Sequence, residues 1–494
     1  MRHTVLIAVA LSIVVPAYAQ QSETDYLSVV RAYADAMLEH ARDNYGEVHS
    51  PLFAAALDRQ GLCLLEGDGL QEVLNIERAD WGIRPHDRTL SGANPMHDQN
   101  LYQVLFALTS ITDEKRYADA ANDALAWFLQ HCQGQETGLL AWGEHIGWDF
   151  RTETLIDKQA RVTHEFFRPW VLWERCYDLA PKESQAFALG LWNHQIGDQA
   201  TGNFSRHANY ERHGPGANSE YPRHGGFYIA TWAHAYKHSQ DPVFLKAIRT
   251  LVHYFESRRH PESHAIPSES AERSKGTIVW PPSNLSLAID LQNAAGLLPN
   301  DDAEELRQCA RDIDKVFLAL PHELSPGRRG FVTRTDTKTL GRGDGENEPQ
   351  IAFTRLWATG YGDYTDAQIA NMCALRYDQV KSDRYRKLIV DTANRYLGAE
   401  LSLEFPVYPG TFGDVIWLML NAHQITGDEK YLGDAHRFAE SAIPLFLDDA
   451  PIPKAATNAS HYEAITRADT LMMALLRLWV VENHAAADLV YSDR

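Results

Sequence analysis

One stretch decides the fold: FYIATWAHAYKHSQDPVFLKAIRTLVHYF, residues 227–255. It contains two runs with apolar residues at helical spacing, and the polar turn SQDP separates them. Two amphipathic helices joined by so short a turn form an antiparallel helical hairpin. The same pattern recurs at residues 101–132 and 415–446, each time with an aspartate in the turn.

Weaker copies of this hairpin fit residues 164–195, 285–320 and 366–397. A first helix is predicted at residues 26–45, and a last helix at residues 461–481 is expected to close against it. Hairpins that recur along a chain indicate a repeat architecture. Because the connections are long and irregular, we expect an all-α fold: a closed (α/α) toroid of six or seven hairpins with few short strands, rather than an open solenoid. A single domain is predicted over residues 20–494.

The N-terminal residues predict export. An early arginine, the apolar run at residues 5–15 and the small residues Ala17 and Ala19 describe a signal peptide over residues 1–19, with cleavage near Ala19. The apolar run is too short to cross a bilayer, and no later run of about 20 apolar residues follows it. We therefore expect a periplasmic or secreted protein without membrane insertion.

The net charge of the chain narrows the classes of molecule that the protein could bind. The formal net charge of −20 argues against a nucleic-acid partner, since phosphate binding requires a basic face. An anionic substrate would need a local positive site inside this acidic envelope.

The five cysteines are scattered without CxxC spacing, so they do not predict a disulfide framework.

A functional site is predicted in the connection NFSRHANYERHGPGANSEYPRHGGFYIATW, residues 203–232. This stretch has neither helical nor strand periodicity, and it is rich in histidine, arginine and tyrosine. Loops held by a rigid scaffold often carry the functional side chains. The stretch holds three arginines against two glutamates, which suits an anion site. Its candidate residues are His207, Tyr210, Arg212, Tyr221, Arg223 and His224.

Three further stretches contribute candidates. LLAWGEHIGWDF, residues 139–150, offers Trp142 and Trp148 for stacking on sugar rings, and Glu144, His145 and Asp149 for hydroxyls or a cation. THEFFRPWVLWE, residues 163–174, is predicted to open a helix at which His164, Glu165 and Arg168 share one end. MHDQNLYQ, residues 96–103, opens another helix with His97 and Asn100, where Asp98 serves as an N-cap. A long connection at residues 325–348 is rich in arginine and glycine, and its composition assigns it no function.

The hairpin repeat and the loops WGEH (142–145) and YPRHGGF (221–227) resemble the six- or seven-hairpin helical-toroid glycosidases and polysaccharide lyases, in particular the periplasmic pectate lyases. In that lyase group, an arginine beside a metal-binding histidine is implicated in removing the substrate proton, and Arg223-His224 is such a pair here. The resemblance implies one divalent cation, Mn²⁺ or Ca²⁺. It also implies a histidine and a glutamate upstream as further ligands, for which His164, Glu144 and Glu165 are candidates.

The predicted reaction is β-elimination on an acidic polysaccharide such as pectate. A base removes the proton at C5 of a uronate, and the C4 oxygen leaves. The substrate carboxylate must be neutralised by a cation or an arginine, because negative charge develops beside it. Arg206 or Arg212 is predicted as the carboxylate clamp, His207 or His224 as the base, and Tyr210 or Tyr221 as acid or base. Arginine normally keeps its proton, so the role of Arg223 stays open.

Other functions remain open at this point. A glycoside hydrolase on the same toroid would need two carboxylates across the scissile bond. Glu144, Asp149, Glu220, Asp363 and Asp414 are available for such a pair. An epimerase using a histidine pair and a carbohydrate-binding protein without catalysis are further alternatives. The sequence lacks the GxSxG, HExxH and P-loop motifs, so nothing supports a serine hydrolase, a zincin or an NTPase.

Overall fold

The computed structural model describes residues 24–76, 82–158, 162–212, 214, 220–268, 276–341, 351–357, 362–401 and 405–494. The predicted signal peptide lies outside these residues. Within them, every helix is too short or too polar to cross a membrane. All five cysteines are free thiols, and four of them are buried.

Helices account for most of the fold, and they follow one another in pairs. Every hairpin predicted from the sequence is present, although the pair near residue 180 is short. The helices are α1 (Tyr26–His40), α2 (Gly67–Leu74), α3 (Gln99–Thr112), α4 (Lys115–His131), α5 (Trp173–Leu179), α6 (Pro181–Gly190), α7 (Pro222–Ser239), α8 (Pro242–Ser257), α9 (Pro281–Ala295), α10 (Asn300–Ala319), α11 (Asp366–Val380), α12 (Asp383–Tyr396), α13 (Pro409–Thr426), α14 (Glu429–Ala442) and α15 (Ala468–Glu482).

The first helix of each pair forms an inner ring. Helix α7 packs against α9, α9 against α11, α11 against α13, α13 against α15, and α15 against α3. The short pair α5 and α6 lies between α4 and α7 and completes the circle. Helix α1 packs on the outside of α15, as the sequence predicted. With α15 and α1 counted as the seventh pair, the fold is a closed (α/α) toroid of seven helix pairs within the described residues.

Burial explains why these segments form two concentric layers. The inner helix α13 buries every residue from Pro409 to Ala422, whereas the outer helix α12 buries one stripe. The N-terminal turns of the inner helices meet at one face: the Arg223 amide in α7 donates to Ser283 Oγ in α9 at 3.0 Å, and the Asn100 amide in α3 donates to Asp469 Oδ2 in α15 at 3.1 Å. The long loops open at this face.

Residues 484–494 follow α15, and we call them the channel segment; residues 491–494 are buried against the inner helices. Side chains at the buried end of this segment bond to three different inner helices, α13, α3 and α9. Tyr491 Oη donates to Asp414 Oδ1 at 2.7 Å, Ser492 Oγ donates to Asn100 Oδ1 at 2.7 Å, and Arg494 Nη1 donates to Asp290 Oδ2 at 2.8 Å.

Short antiparallel strands brace the loops at the open face. The strands are β1 (Ala56–Leu57), β2 (Gly92–Ala93), β3 (Ile146–Asp149), β4 (Leu155–Asp157), β5 (Thr163–His164), β6 (Ile196–Asp198), β7 (Asn203–Phe204), β8 (Ala208–Asn209), β9 (Ile278–Val279), β10 (Val332–Asp336), β11 (Ala352–Phe353) and β12 (Tyr462–Glu463). Strand β1 pairs with β12, β3 lies between β2 and β4, β5 pairs with β8, β6 pairs with β7, and β10 lies between β9 and β11.

Two predicted helix starts were wrong. The stretch 163–174 begins with strand β5, and α5 starts only at Trp173. Pro169 accounts for part of this delay, because a proline disfavours helical geometry in the residue before it. Likewise, the last helix starts at Ala468, after strand β12 and a short 3₁₀ turn.

The prediction that Trp142 stacks on sugar was also wrong. Its side chain is 1% exposed and lies in the aromatic core, with its ring stacked on Phe166 at 5.7 Å and 4.7 Å from Trp170. A run of alternating aromatic and polar residues does not reveal which rings face inward. Trp142 is therefore a core residue.

Trp142→Ala is expected to lower the free energy of unfolding by about 3–5 kcal/mol, because it leaves a large cavity among packed rings. Urea denaturation of the purified protein measures this change. Leu74→Ala is the control, since the Leu74 side chain is 44% exposed and its loss should cost less than about 0.5 kcal/mol. Equal stability of the two variants would contradict the core assignment.

Candidate functional site

The candidate site is built around one fully buried carboxylate, Glu165. Its Oε2 atom lies 2.9 Å from His207 Nε2 and 3.0 Å from His145 Nε2. Its Oε1 atom accepts a hydrogen bond from Arg206 Nη1 at 2.7 Å and lies 3.2 Å from His224 Nε2. We call these five residues the Glu165 cluster.

Short strands bring the cluster together. Strand β8 pairs with β5 so that Ala208 lies opposite His164, which sets His207 beside Glu165. Gly143 bridges to Glu165 in parallel and has a φ of +115°, and a Cβ atom there would lie 2.1 Å from the Glu165 carbonyl oxygen. Only glycine fits that close approach. His145 follows two residues later, and it therefore reaches the same carboxylate.

Three members of the cluster form a set of donors suited to a divalent cation. The ligand atoms of His145, Glu165 and His207 lie within 4.8 Å of one another. The two Nε2 atoms are 3.3 Å apart, and both face Glu165 Oε2. Imidazole nitrogens with a carboxylate oxygen are common ligands of transition cations. The residues present therefore fit a metal.

Asp87 lies behind this donor set. Its Oδ1 atom is 3.6 Å from His145 Nδ1 and 3.6 Å from His86 Nε2. A carboxylate on the far nitrogen of a metal-binding histidine fixes its tautomer. Asp87, Glu144 and His145 form a second group with closely spaced ligand atoms.

The electrostatics of the cluster keep Glu165 ionised. Burial alone would raise the pKa of Glu165, but Arg206 and the surrounding histidines hold it well below its usual range. Burial lowers the pKa of His224 to about 3 despite its contact with Glu165, so this imidazole is neutral at pH 7. Burial, Glu165 and Asp87 raise the pKa of Glu144 to about 7.

A pocket opens beside the cluster at the centre of the toroid face. Arg223 lines it and donates from Nη1 to Tyr364 Oη at 3.0 Å, while its buried Nε atom has no hydrogen-bond partner among the described residues. The Tyr221 ring lies between two guanidinium groups, 5.4 Å from that of Arg206 and 5.9 Å from that of Arg223. Other lining residues are Glu144, Arg168, Asp363, Arg467, Asp493 and Arg494.

Some predicted site residues lie in or beside this site. Three of them line the pocket: Glu144, Arg168 and Arg223. Four belong to the Glu165 cluster: His145, Glu165, His207 and His224. Tyr221 contacts the cluster through Arg206. His164, predicted as a metal ligand, points away from the cluster: its Nδ1 atom lies 3.3 Å from Gln195 Oε1, and burial lowers its pKa to about 4.

Other predicted residues have structural contacts instead. Tyr210 Oη donates to the Cys132 carbonyl at 3.2 Å, and Arg212 is exposed on its loop. Trp148 packs edge-on against Trp127 with ring centres 6.0 Å apart. Asp149 Oδ1 accepts backbone hydrogen bonds from Arg151 and Thr152. His97 is buried against Phe167 and Asn100 binds the channel segment, so the structure places neither in the pocket.

Sequence reasoning missed several residues of the site. Asp87 lies in a polar 3₁₀ turn that has no motif, and Tyr364, Arg467 and Asp493 come from distant parts of the chain. Arg206-His207 is a second arginine-histidine pair only 17 residues before Arg223-His224. Arg206 itself was predicted as a carboxylate clamp, and its adjacency to His207 was the signal for a second such pair.

Comparisons with known proteins agree with the predicted resemblance. A model of the periplasmic pectate lyase family matches residues 64–247. A pectate disaccharide-lyase of Dickeya dadantii (strain 3937) is 25% identical over 128 residues, which make up 26% of this chain and 23% of that enzyme. The chain therefore matches less than a quarter of the length of this relative.

Several solved structures align with nearly the whole chain. A D-mannose isomerase covers 94% of this chain and 99% of its own, at 10% identity and a TM-score of 0.48. An unsaturated glucuronyl hydrolase specific for heparin covers 93% and 98%, at 11% identity and a TM-score of 0.47.

The resemblance to periplasmic pectate lyases is thus confirmed over residues 64–247, a stretch that resembles enzymes acting on polysaccharides. It contains every member of the Glu165 cluster as well as Arg223.

Proposed function

We propose that the protein is an exported lyase that cleaves a uronic-acid polysaccharide, such as pectate, by β-elimination. The observation that carries this proposal is the Glu165 cluster, where three metal-suited donors and Arg206 lie beside a pocket containing Arg223. A uronate needs both a neutralised carboxylate and a proton acceptor, and this site offers groups for each. The periplasmic description of the matching family supports export.

His145, Glu165 and His207 are the residues that would hold a divalent cation. A bound cation would neutralise the substrate carboxylate and stabilise the charge that develops beside it. Asp87 would hold His145 in the tautomer that leaves Nε2 free to bind.

We assign the arginine-histidine pair of the lyase group to Arg206-His207 instead of Arg223-His224. His207 shares the three-donor group, whereas His224 contacts only the opposite oxygen of Glu165. In this assignment Arg206 faces the C5 proton. Burial alone would lower the pKa of Arg206, but Glu165 and Glu144 raise it, so Arg206 is protonated while this ion pair holds. To accept the C5 proton, Arg206 must first leave Glu165 and lose its own proton to water.

Arg223 is proposed as the clamp for the substrate carboxylate. Its side chain lines the pocket beside Tyr364, where its guanidinium group can donate to a substrate carboxylate. With the carboxylate held, loss of the C5 proton and departure of the C4 oxygen leave a C4–C5 double bond.

Incubation with polygalacturonate should produce the near-ultraviolet absorbance of an unsaturated uronate, and a chelator should abolish this activity. Readdition of Mn²⁺ or Ca²⁺ to the chelated enzyme should restore it. New reducing ends without that absorbance would instead assign the protein to the glycoside hydrolases. If a broad panel of acidic and neutral polysaccharides yields neither product, the proposal fails.

A further inference from the structure

The pocket continues into a second depression on the same face. Both are lined by Gly362, Asp363 and Tyr364, so the two are adjacent. Arg355 and Trp357 then connect the second depression to a third. The two outer depressions together form what we call the arginine groove. It leads away from Arg223 through Tyr364.

A small sheet and the loop after it build the groove. Strand β10 lies between β9 and β11, with Arg334 opposite Ala352 and Val332 opposite Phe353. Arg334 is exposed on this sheet, and Trp280 follows directly after β9. These strands fall partly within the connection 325–348, to which the sequence assigned no function.

The charge of the groove is opposite to that of the protein. The chain has 66 acidic and 46 basic residues. Yet of the described residues that line the groove, five are arginines and Asp363 is the only acid. Arg395 is neutralised by Asp366, and Glu323 lies near both Arg328 and Arg329. The described residues therefore give the groove an excess of positive charge.

Aromatic rings alternate with these arginines. Trp280 lies 6.0 Å from Tyr221 and so connects the groove to the ring between Arg206 and Arg223. Where the second and third depressions meet, Trp357 is half-buried and donates from Nε1 to the Glu400 carbonyl at 3.2 Å, which fixes its indole. Fixed flat rings beside planar guanidinium groups fit sugar faces with attached carboxylates.

We propose that the arginine groove binds the continuation of an acidic polysaccharide, several uronate residues away from the bond that is cleaved. The carboxylates would pair with Arg334 and Arg328, and the sugar rings would lie against Trp280 and Trp357. The inference rests on the proposed function, and it adds that the preferred substrate of the enzyme is a polymer rather than a short oligosaccharide. Charge complementarity selects this occupant.

The test compares the double variant Arg328→Ala/Arg334→Ala with wild type on polygalacturonate and on a trigalacturonate. Both side chains are exposed, so the fold should be retained. We expect KM for the polymer to rise about five- to twentyfold, since each exposed charge contact contributes modestly. The value of kcat and the KM for the trimer should not change. The matched control is Arg307→Ala/Arg311→Ala on α10, which removes the same charge elsewhere and should leave every constant unchanged.

Affinity electrophoresis separates failure of this inference from failure of the proposed reaction. Wild type should be retarded in gels containing polygalacturonate but not in gels containing a neutral galactan, and the Arg328→Ala/Arg334→Ala variant should lose the retardation. This result supports the groove even if no substrate is cleaved. Equal retardation of variant and wild type, or equal retardation by the neutral polymer, would overturn it.

Discussion

Glu165→Gln is expected to reduce turnover of polygalacturonate at least about a thousandfold, a loss of roughly 4 kcal/mol in transition-state stabilisation. The substitution keeps the shape of the side chain and removes its charge. Glu165 contacts three imidazoles and the Arg206 guanidinium, so the variant loses the anion that orients both the cation site and the arginine. Steady-state kinetics and the metal content of the dialysed protein measure the two effects.

Controls separate this effect from unfolding. Glu174→Gln changes an exposed carboxylate that pairs with Lys237, and it should leave both readouts unchanged. Because Glu165 is buried, its variant is compared with wild type by thermal denaturation. His207→Gln, at a position 19% exposed, tests the same donor group if Glu165→Gln does not fold. Normal metal content and normal turnover in a folded variant would refute the assigned cation site.

Arg206→Lys is expected to reduce kcat about a hundred- to ten-thousandfold while metal content remains normal. Lysine keeps the positive charge but lacks the planar guanidinium that contacts Glu165. In the same loop, the exposed Arg212 provides a matched control, and Arg212→Lys should leave kcat unchanged. Kinetics at saturating polygalacturonate measure both variants.

Arg223→Lys separates the two arginine-histidine pairs. As the carboxylate clamp, Arg223 should affect KM more than kcat, because its contact is already made in the bound substrate. If Arg223→Lys removes kcat while Arg206→Lys retains it, the pair Arg223-His224 is the one that acts on the proton. The same kinetic series on polygalacturonate decides between the pairs.

The hairpins could be predicted from the sequence because helical periodicity is a local property. Residues 227–255 carry their own turn and their own apolar stripes, and the structure has α7 and α8 there. Closure of the ring followed from the long connections between such hairpins. Strand β5 could not be predicted, since its two residues become extended only by pairing with β8.

The site was harder to predict than the hairpins because its geometry depends on the pairing of β5 with β8. Residues His164 and Glu165 are neighbours in sequence, but the strand turns His164 toward Gln195 and leaves Glu165 in the cluster. Trp142 and His145 are only three residues apart, yet His145 reaches the site and Trp142 packs in the core. The loops that hold the chemistry were therefore identifiable, whereas the role of each side chain was not.

The channel segment has a consequence for the order of folding. It bonds to Asn100, Asp290 and Asp414, which belong to three helices far apart in the chain. Contacts of such long sequence separation form slowly. A ring that closes before residues 484–494 arrive lacks the contacts that Tyr491, Ser492 and Arg494 make to these polar side chains. Since Asp493 and Arg494 also line the pocket, the site is completed only when the channel segment has docked.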